Sequence, residues 1–204
     1  MTAAISDEQA QKKGRRTLLL VLAVSVMPVA AAYIMFFTGI GVPSNTVNNG
    51  VLMEKPLSIK EIMPAEQWES VTSDKKWRLL LPLGETCDAA CEKNLYTTRQ
   101  VHIRLADKSG RLERYLVSYG GTKSDAYAEK IKPEHPLLKH VSVSKRDWLH
   151  WIEQSPIIQQ TLSQPYYLLV DQEGVAMMIY TEKQHGNELL KDIKRALKYS
   201  IDYQ

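Results

Sequence analysis

Two cysteines stand four residues apart in Cys87-Asp88-Ala89-Ala90-Cys91, and the chain has no others. A dithiol at this spacing can close into a disulfide or grip a soft metal ion, because residues i and i+4 of a helix carry Cβ atoms about 5–6 Å apart. The run before it, Trp77 to Leu83, is a short apolar stretch that ends in turn residues, as a buried strand does. The run after it predicts a helix from about Cys87 to Leu105, with Thr86 as N-cap. A strand delivering two cysteines to a helix start puts them among free N–H groups and the positive end of the helix dipole, which lowers thiol pKa values. Asp88 places a negative charge beside Cys87 and offsets part of that effect. A disulfide here closes a very small loop, so its contribution to stability is modest and a purely structural role is disfavoured. Two thiols also exclude a four-cysteine zinc or iron–sulfur centre built by one chain.

The elements that must hold this pair follow in order. Arg111 to Tyr119 predicts a second strand, broken by Gly120-Gly121, and Ser124 to Ile131 a short helix. Lys139 to Ser144 predicts an edge strand and Arg146 to Gln154 a helix. Tyr166 to Val170 and Val175 to Tyr180 flank Asp171-Gln172-Glu173-Gly174, a hairpin signal. The last helix carries Leu189, Leu190, Ile193 and Leu197 on one stripe and Lys191, Lys194, Arg195 and Lys198 on the other face. A βαβ unit followed by a hairpin and a closing helix predicts an α/β domain on a small mixed sheet.

Upstream, Thr17 to Thr38 is an uncharged run of 22 residues, about 33 Å as a helix, which is enough to cross a bilayer. It is too long for the apolar core of a cleaved signal peptide. Lys12, Lys13, Arg15 and Arg16 precede it and no Lys or Arg follows until Lys55, so the positive-inside rule puts the N-terminus in the cytoplasm. The expected organisation is a cytoplasmic tail (1–16), a transmembrane helix (17–38), a periplasmic linker (39–72) and a folded domain (73–204), in a bacterial inner membrane. A net charge of +3 over 204 residues, with no dense basic face and no phosphate-binding glycine loop, argues against nucleic-acid and nucleotide partners.

The strand, the CxxxC at a helix start, the hairpin and the amphipathic last helix, behind one membrane anchor, resemble the Sco/SenC group of thioredoxin-like proteins. The resemblance covers roughly residues 75 to 200 and is most specific at Trp77–Cys91 and Tyr166–Ser200. It implies a thioredoxin-like fold and a role in assembling the dinuclear copper centre of cytochrome c oxidase. That role is either thiol–disulfide exchange with the copper-site subunit or another periplasmic thiol protein, or copper binding. The two family cysteines map onto Cys87 and Cys91, with Cys87 the attacking and Cys91 the resolving thiol. Pro165 resembles the proline that, in the cis form, shapes the substrate groove of thioredoxin-like folds. The family's histidine has no counterpart in Thr161 to Pro165, and Glu92 stands where the family has a proline. Copper is therefore expected only with a third ligand from elsewhere, and His185, in the loop leaving the last strand, is the candidate. His102 is expected at a core boundary, His135, His140 and His150 at the surface, and Trp77, Trp148, Trp151, Met177 and Met178 in packing roles. A non-catalytic scaffold with a static disulfide is the blander alternative.

Overall fold

The computed structural model describes residues 2–39, 47–156 and 164–201, and divides into units Met1–Val47 and Asn48–Gln204. The first unit is one helix, α1 (Thr2–Thr38). Its segment Gly14–Thr38 is long and apolar enough to cross a membrane. Pro28 lies inside it, a position that membrane helices tolerate.

The second unit is a six-stranded mixed sheet. Its strands are β1 (Val51–Ser58), β2 (Trp77–Leu83), β3 (Leu112–Ser118), β4 (Leu138–Ser142), β5 (Tyr166–Val170) and β6 (Val175–Thr181), in the order β1-β6-β5-β2-β3-β4. β2, β3 and β4 run parallel, whereas β5, β6 and β1 pair antiparallel. The helices are α2 (Ala65–Thr72), α3 (Ala89–Arg104), α4 (Thr122–Ile131), α5 (Lys145–Glu153) and α6 (Gly186–Tyr199). In the hairpin, Asp171 accepts the N–H groups of Glu173 and Val175 and Gly174 takes a positive φ of 83°, a conformation that favours glycine.

Side chains alternate across the strands, so the sheet has two cores. Leu80, Tyr115, Val117, Leu168 and Val170 face Trp148, Trp151 and Ile152 of α5. Leu79, Leu81, Leu83 and Leu169 face Leu95 and Val101 of α3 and Leu189, Ile193 and Leu197 of α6. Trp148 and Trp151 are fully buried, and truncating either to alanine is expected to cost about 3–5 kcal/mol.

One boundary differs from the sequence reading. Residues 51–72 are part of the domain, not linker. β1 is an edge strand on β6, and Met53, Leu57, Ile59, Ile62, Met63 and Val71 all enter the α5-side core. The fold starts at a clasp. Asp192 of α6, 2% exposed, accepts the backbone N–H of Asn49 (2.8 Å) and of Gly50 (2.9 Å), the Asn49 side-chain amide (2.8 Å) and the Tyr180 hydroxyl (3.0 Å). The Tyr180 ring lies so close to Gly50 that a Cβ there would meet it at 2.5 Å.

Candidate functional site

The parallel strands β2 and β3 end side by side, Leu83 paired with Ser118, and the chain leaves both toward the same margin. Gly120 lies directly against the turn after β2. A Cβ on it would meet Glu85 N and Gly84 C at 2.4 Å, so only glycine lets the two backbones touch. The turn so supported carries the dithiol.

Cys87 and Cys91 form a disulfide with Cα atoms 5.2 Å apart. The helix starts two residues later than the sequence suggests. Asp88, not Thr86, is the N-cap, in extended backbone, and its carboxylate accepts the Cys91 N–H at 2.8 Å. A short acidic side chain competes well for a free helix N–H, which explains the shift. Cys87 therefore lies just before the helix and Cys91 at its third residue, and both are half-buried against the α3/α6 core. A thiolate formed here would meet the helix dipole and, opposing it, the Asp88 carboxylate, which already holds the Cys91 amide.

Cys91 opens onto a cleft of about 310 Å³ whose walls include Thr86, Asp88, Tyr119, Gln164, Pro165 and Tyr166. The structure thus brings Cys91 and Pro165 into one cleft. The described backbone has no cis peptide bond, so Gln164–Pro165 is trans. A proline just before Tyr166, the first paired residue of β5, needs no donor and fits a trans bond without strain. Burial pushes the Tyr119 hydroxyl up from its ordinary pKa, which keeps it protonated and neutral beside the cleft. Glu85, on the rim, is held below the usual carboxylate range by its hydrogen bond to Lys123 and by the charges of Lys123 and Lys145.

His185 is not brought to the sulfurs. It caps α6, where its N–H is held by Glu188 (2.9 Å), and it is exposed. The neighbouring Gly186 rests on Thr97 and Val101, about two and three turns along α3 from Cys91. The loop after β6 does return to the Tyr166 end of the sheet, since Thr181 pairs with Tyr166, but α6 then docks farther down α3. Among the described residues, no group of three or more His, Cys, Asp or Glu side chains is arranged to hold a metal ion. His102 is half-buried, with Nε2 3.0 Å from the Leu112 carbonyl oxygen, as a boundary histidine should be. The stretch Thr161–Ser163, where the family histidine was sought, lies outside the described residues.

Sequence reasoning missed a polar group at the same margin. Ser118 Oγ is 2.7 Å from His140 Nε2, and Asp125 Oδ1 is 3.4 Å from that same nitrogen. Both neighbours share one ring nitrogen, so the trio lacks the separate orienting contact that a serine nucleophile needs. The spacing of 22 residues between Ser118 and His140 gives no sequence signal.

A mixed sheet with helices on both faces and a disulfide at the β2–α3 junction defines a thioredoxin-like protein. Residues 77–200 match the family described as transmembrane-like, thioredoxin-like, C-terminal domain, and residues 8–39 match the transmembrane-like N-terminal domain. The chain belongs to this transmembrane-like, thioredoxin-like family. Among curated proteins, none matches the sequence. Its fold is similar to that of yeast Sco1 with copper bound, at 12% identity and a TM-score of 0.54, covering 78% of this chain and 99% of that one. It is also similar to Arabidopsis thaliana ScoI with copper bound, at 13% identity and 0.52, covering 72% and 98%. A third similar structure is BsSco, described as a member of the Sco family of cytochrome c oxidase assembly proteins with a disulfide switch, at 12% identity and 0.50, covering 76% and 100%. At these identities the likeness is one of fold.

Proposed function

We propose that this protein is a membrane-anchored thiol–disulfide exchange protein that works on cysteines of the copper-site subunit of cytochrome c oxidase, or of another periplasmic thiol protein. In this reading α1 spans a bacterial inner membrane with the basic residues Lys12, Lys13, Arg15 and Arg16 on the cytoplasmic side, and the sheet domain lies in the periplasm, where disulfides persist. The observation that carries the proposal is the Cys87–Cys91 disulfide, half-buried at a helix start and open, through Cys91, to a cleft walled by Pro165 and Tyr119. The fold likeness to Sco proteins supports the choice of partner.

In the reduced protein, Cys87 as thiolate attacks one sulfur of a partner disulfide. The partner's S–S bond breaks, its other sulfur leaves as thiolate, and a mixed disulfide forms. Cys91, deprotonated, then attacks Cys87 Sγ, and the partner's second thiolate leaves. Two electrons have passed to the partner, whose thiolates take up two protons, and the Cys87–Cys91 bond is restored. A dithiol reductant must reset the cycle. The test is equilibration of the full chain, in detergent, with glutathione redox buffers and with a disulfide peptide of the copper-site subunit. The expected results are a two-electron midpoint, peptide reduction by the reduced chain, and a trapped mixed disulfide in Cys91→Ser that Cys87→Ser does not form. A pair that never equilibrates with glutathione ends the proposal.

Copper as cargo is the second reading, favoured by the copper-bound structures of similar fold. The residues present fit it in part. Two thiolates suit Cu(I), but His185 is remote from them, and residues 157–163, Ile-Ile-Gln-Gln-Thr-Leu-Ser, contain no His, Cys or Met. A third ligand would have to come from the partner. Titration of the reduced chain with Cu(I) checks this: a 1:1 complex lost in the double Cys→Ser variant supports cargo binding, and no binding above background removes it.

A further inference from the structure

Helix α6 presents a stripe of one charge sign that the fold itself does not use. Leu189, Leu190, Ile193 and Leu197 are buried in the α3-side core. Lys191, Lys194, Arg195 and Lys198 are exposed on the other side of the helix, within an arc of about 100°. The two acids of α6 do not pair with them: Asp192 is buried in the clasp, and Glu188 is half-buried and holds the His185 N–H. Several exposed lysines on other elements take acidic partners, as Lys123 does with Glu85, Lys132 with Glu129 and Lys139 with Glu113, whereas Lys191, Lys194 and Lys198 make no ion pair among the described residues. The stripe also sets like charges at i,i+3 and i,i+4 spacing, Lys191 beside Lys194 and Arg195, and Lys198 beside the same two. Such neighbours repel and disfavour the helix, and an anionic surface laid against them relieves that repulsion. At the C-terminal end of the stripe stand two exposed side chains with apolar bodies, Tyr199 (76%) and Ile201 (64%). A tyrosine suits a water–lipid boundary, with its ring in apolar surroundings and its hydroxyl in water. The chain from α1 also enters the domain on this helix, since Asn49 and Gly50 bond Asp192. Thr38, where α1 ends, is eleven residues before Asn49, a reach of at most about 40 Å.

We propose that the stripe Lys191, Lys194, Arg195 and Lys198 docks on the anionic lipid headgroups of the bilayer that anchors α1, with Tyr199 and Ile201 at the headgroup boundary. Each basic side chain near an anionic surface strengthens binding about fivefold, an attraction that fades within a Debye length. The short tether holds the stripe near lipid phosphates at all times, whereas an acidic protein would have to be recruited, so the bilayer is the occupant. The stripe shares no residue with the disulfide cleft, so it can be altered without touching the exchange chemistry.

This inference rests on α1 as a membrane anchor, and stable incorporation of the full chain into lipid nanodiscs reports on that reading separately. The discs contain phosphatidylcholine alone or with about one-third phosphatidylglycerol, and lysine acylation by a water-soluble reagent is followed by mass spectrometry. In about 0.1 M sodium chloride, Lys191, Lys194 and Lys198 should label about fivefold more slowly in the anionic discs than in the neutral ones, and about 1 M salt should remove the difference. Lys60 and Lys145, exposed on elements that pack on the other face of the sheet, should label alike in both discs. The double change Lys191→Gln and Lys194→Gln removes charges that take no ion pair among the described residues, so the chain should fold normally and Lys198 should lose most of its protection. The proposal is overturned by equal labelling of the stripe in the two discs, by protection that persists in high salt, or by Lys198 staying protected in the double variant. Labelling slowed only by added polyglutamate assigns the stripe to an acidic protein and overturns it as well.

Discussion

Asp192 and Asp88 both accept backbone N–H groups in this domain, and their surroundings give them opposite roles. Asp192 is buried and takes four hydrogen bonds that lock the start of the domain onto α6. Asp88 is exposed and takes one, from the amide of a redox-capable cysteine. A fully satisfied buried carboxylate is permanent structure, because every lost bond leaves a buried donor unmet. A solvated carboxylate with one bond can be displaced cheaply, which suits the exchange role proposed for the neighbouring sulfurs.

This contrast is open to direct attack. The largest expected effect is from Asp192→Ala, which strands the Asn49, Gly50 and Tyr180 donors and should cost about 3 kcal/mol of unfolding free energy in denaturant titrations. The Cys87/Cys91 midpoint should not move in that variant. A double Cys→Ser change should cost about 2 kcal/mol or less by the same measurement, since the loop it opens is so short, yet abolish all exchange with glutathione. Should the ranking reverse, the disulfide is the structural element and the contrast fails. Asp88→Asn removes charge beside the thiolates. It should stabilise the reduced form by about 1.4 kcal/mol, raising the midpoint by about 30 mV in glutathione equilibration.

The smallest effect concerns acid. Burial lowers the pKa of His102 and of His135 below the ordinary 6.5. The unfolded imidazoles therefore take up protons first as pH falls, so this part of the stability is intact above about pH 6.5 and is lost below it. Melting temperatures measured from about pH 7.5 down to about pH 5 should decline, and less steeply in His102→Asn.

Much of this arrangement can be read directly from the chain. β2 and β5 announce themselves as continuous apolar runs because both of their faces are covered, and their sequence boundaries match the structure residue for residue. β1 hides for the opposite reason. It lies at an edge, carries Glu54, Lys55 and Pro56 in its middle, shifts register between Leu52 and Leu57, and buries only Met53 and Leu57. α2 shows little more than Trp68 and Val71 to mark it. The cysteine pair and its helix were visible, but the Asp88 cap was not, because Thr86, two residues earlier, also carries a side chain able to cap a helix. The clasp leaves no local trace, since Asn49 and Asp192 are 143 residues apart.

The clasp also bears on mechanics. A protein held by one membrane helix feels every tug and drift of its surroundings through the few residues that join helix to domain. Here that load arrives at Asn49 and Gly50 and is met at once by Asp192 and the β1–β6 edge. Strands β6 and β5 lie between that edge and β2, from which the sulfur-bearing turn hangs. Strain on the leash is thus met first at the β1 edge, with β6 and β5 between it and the strand that leads to the disulfide.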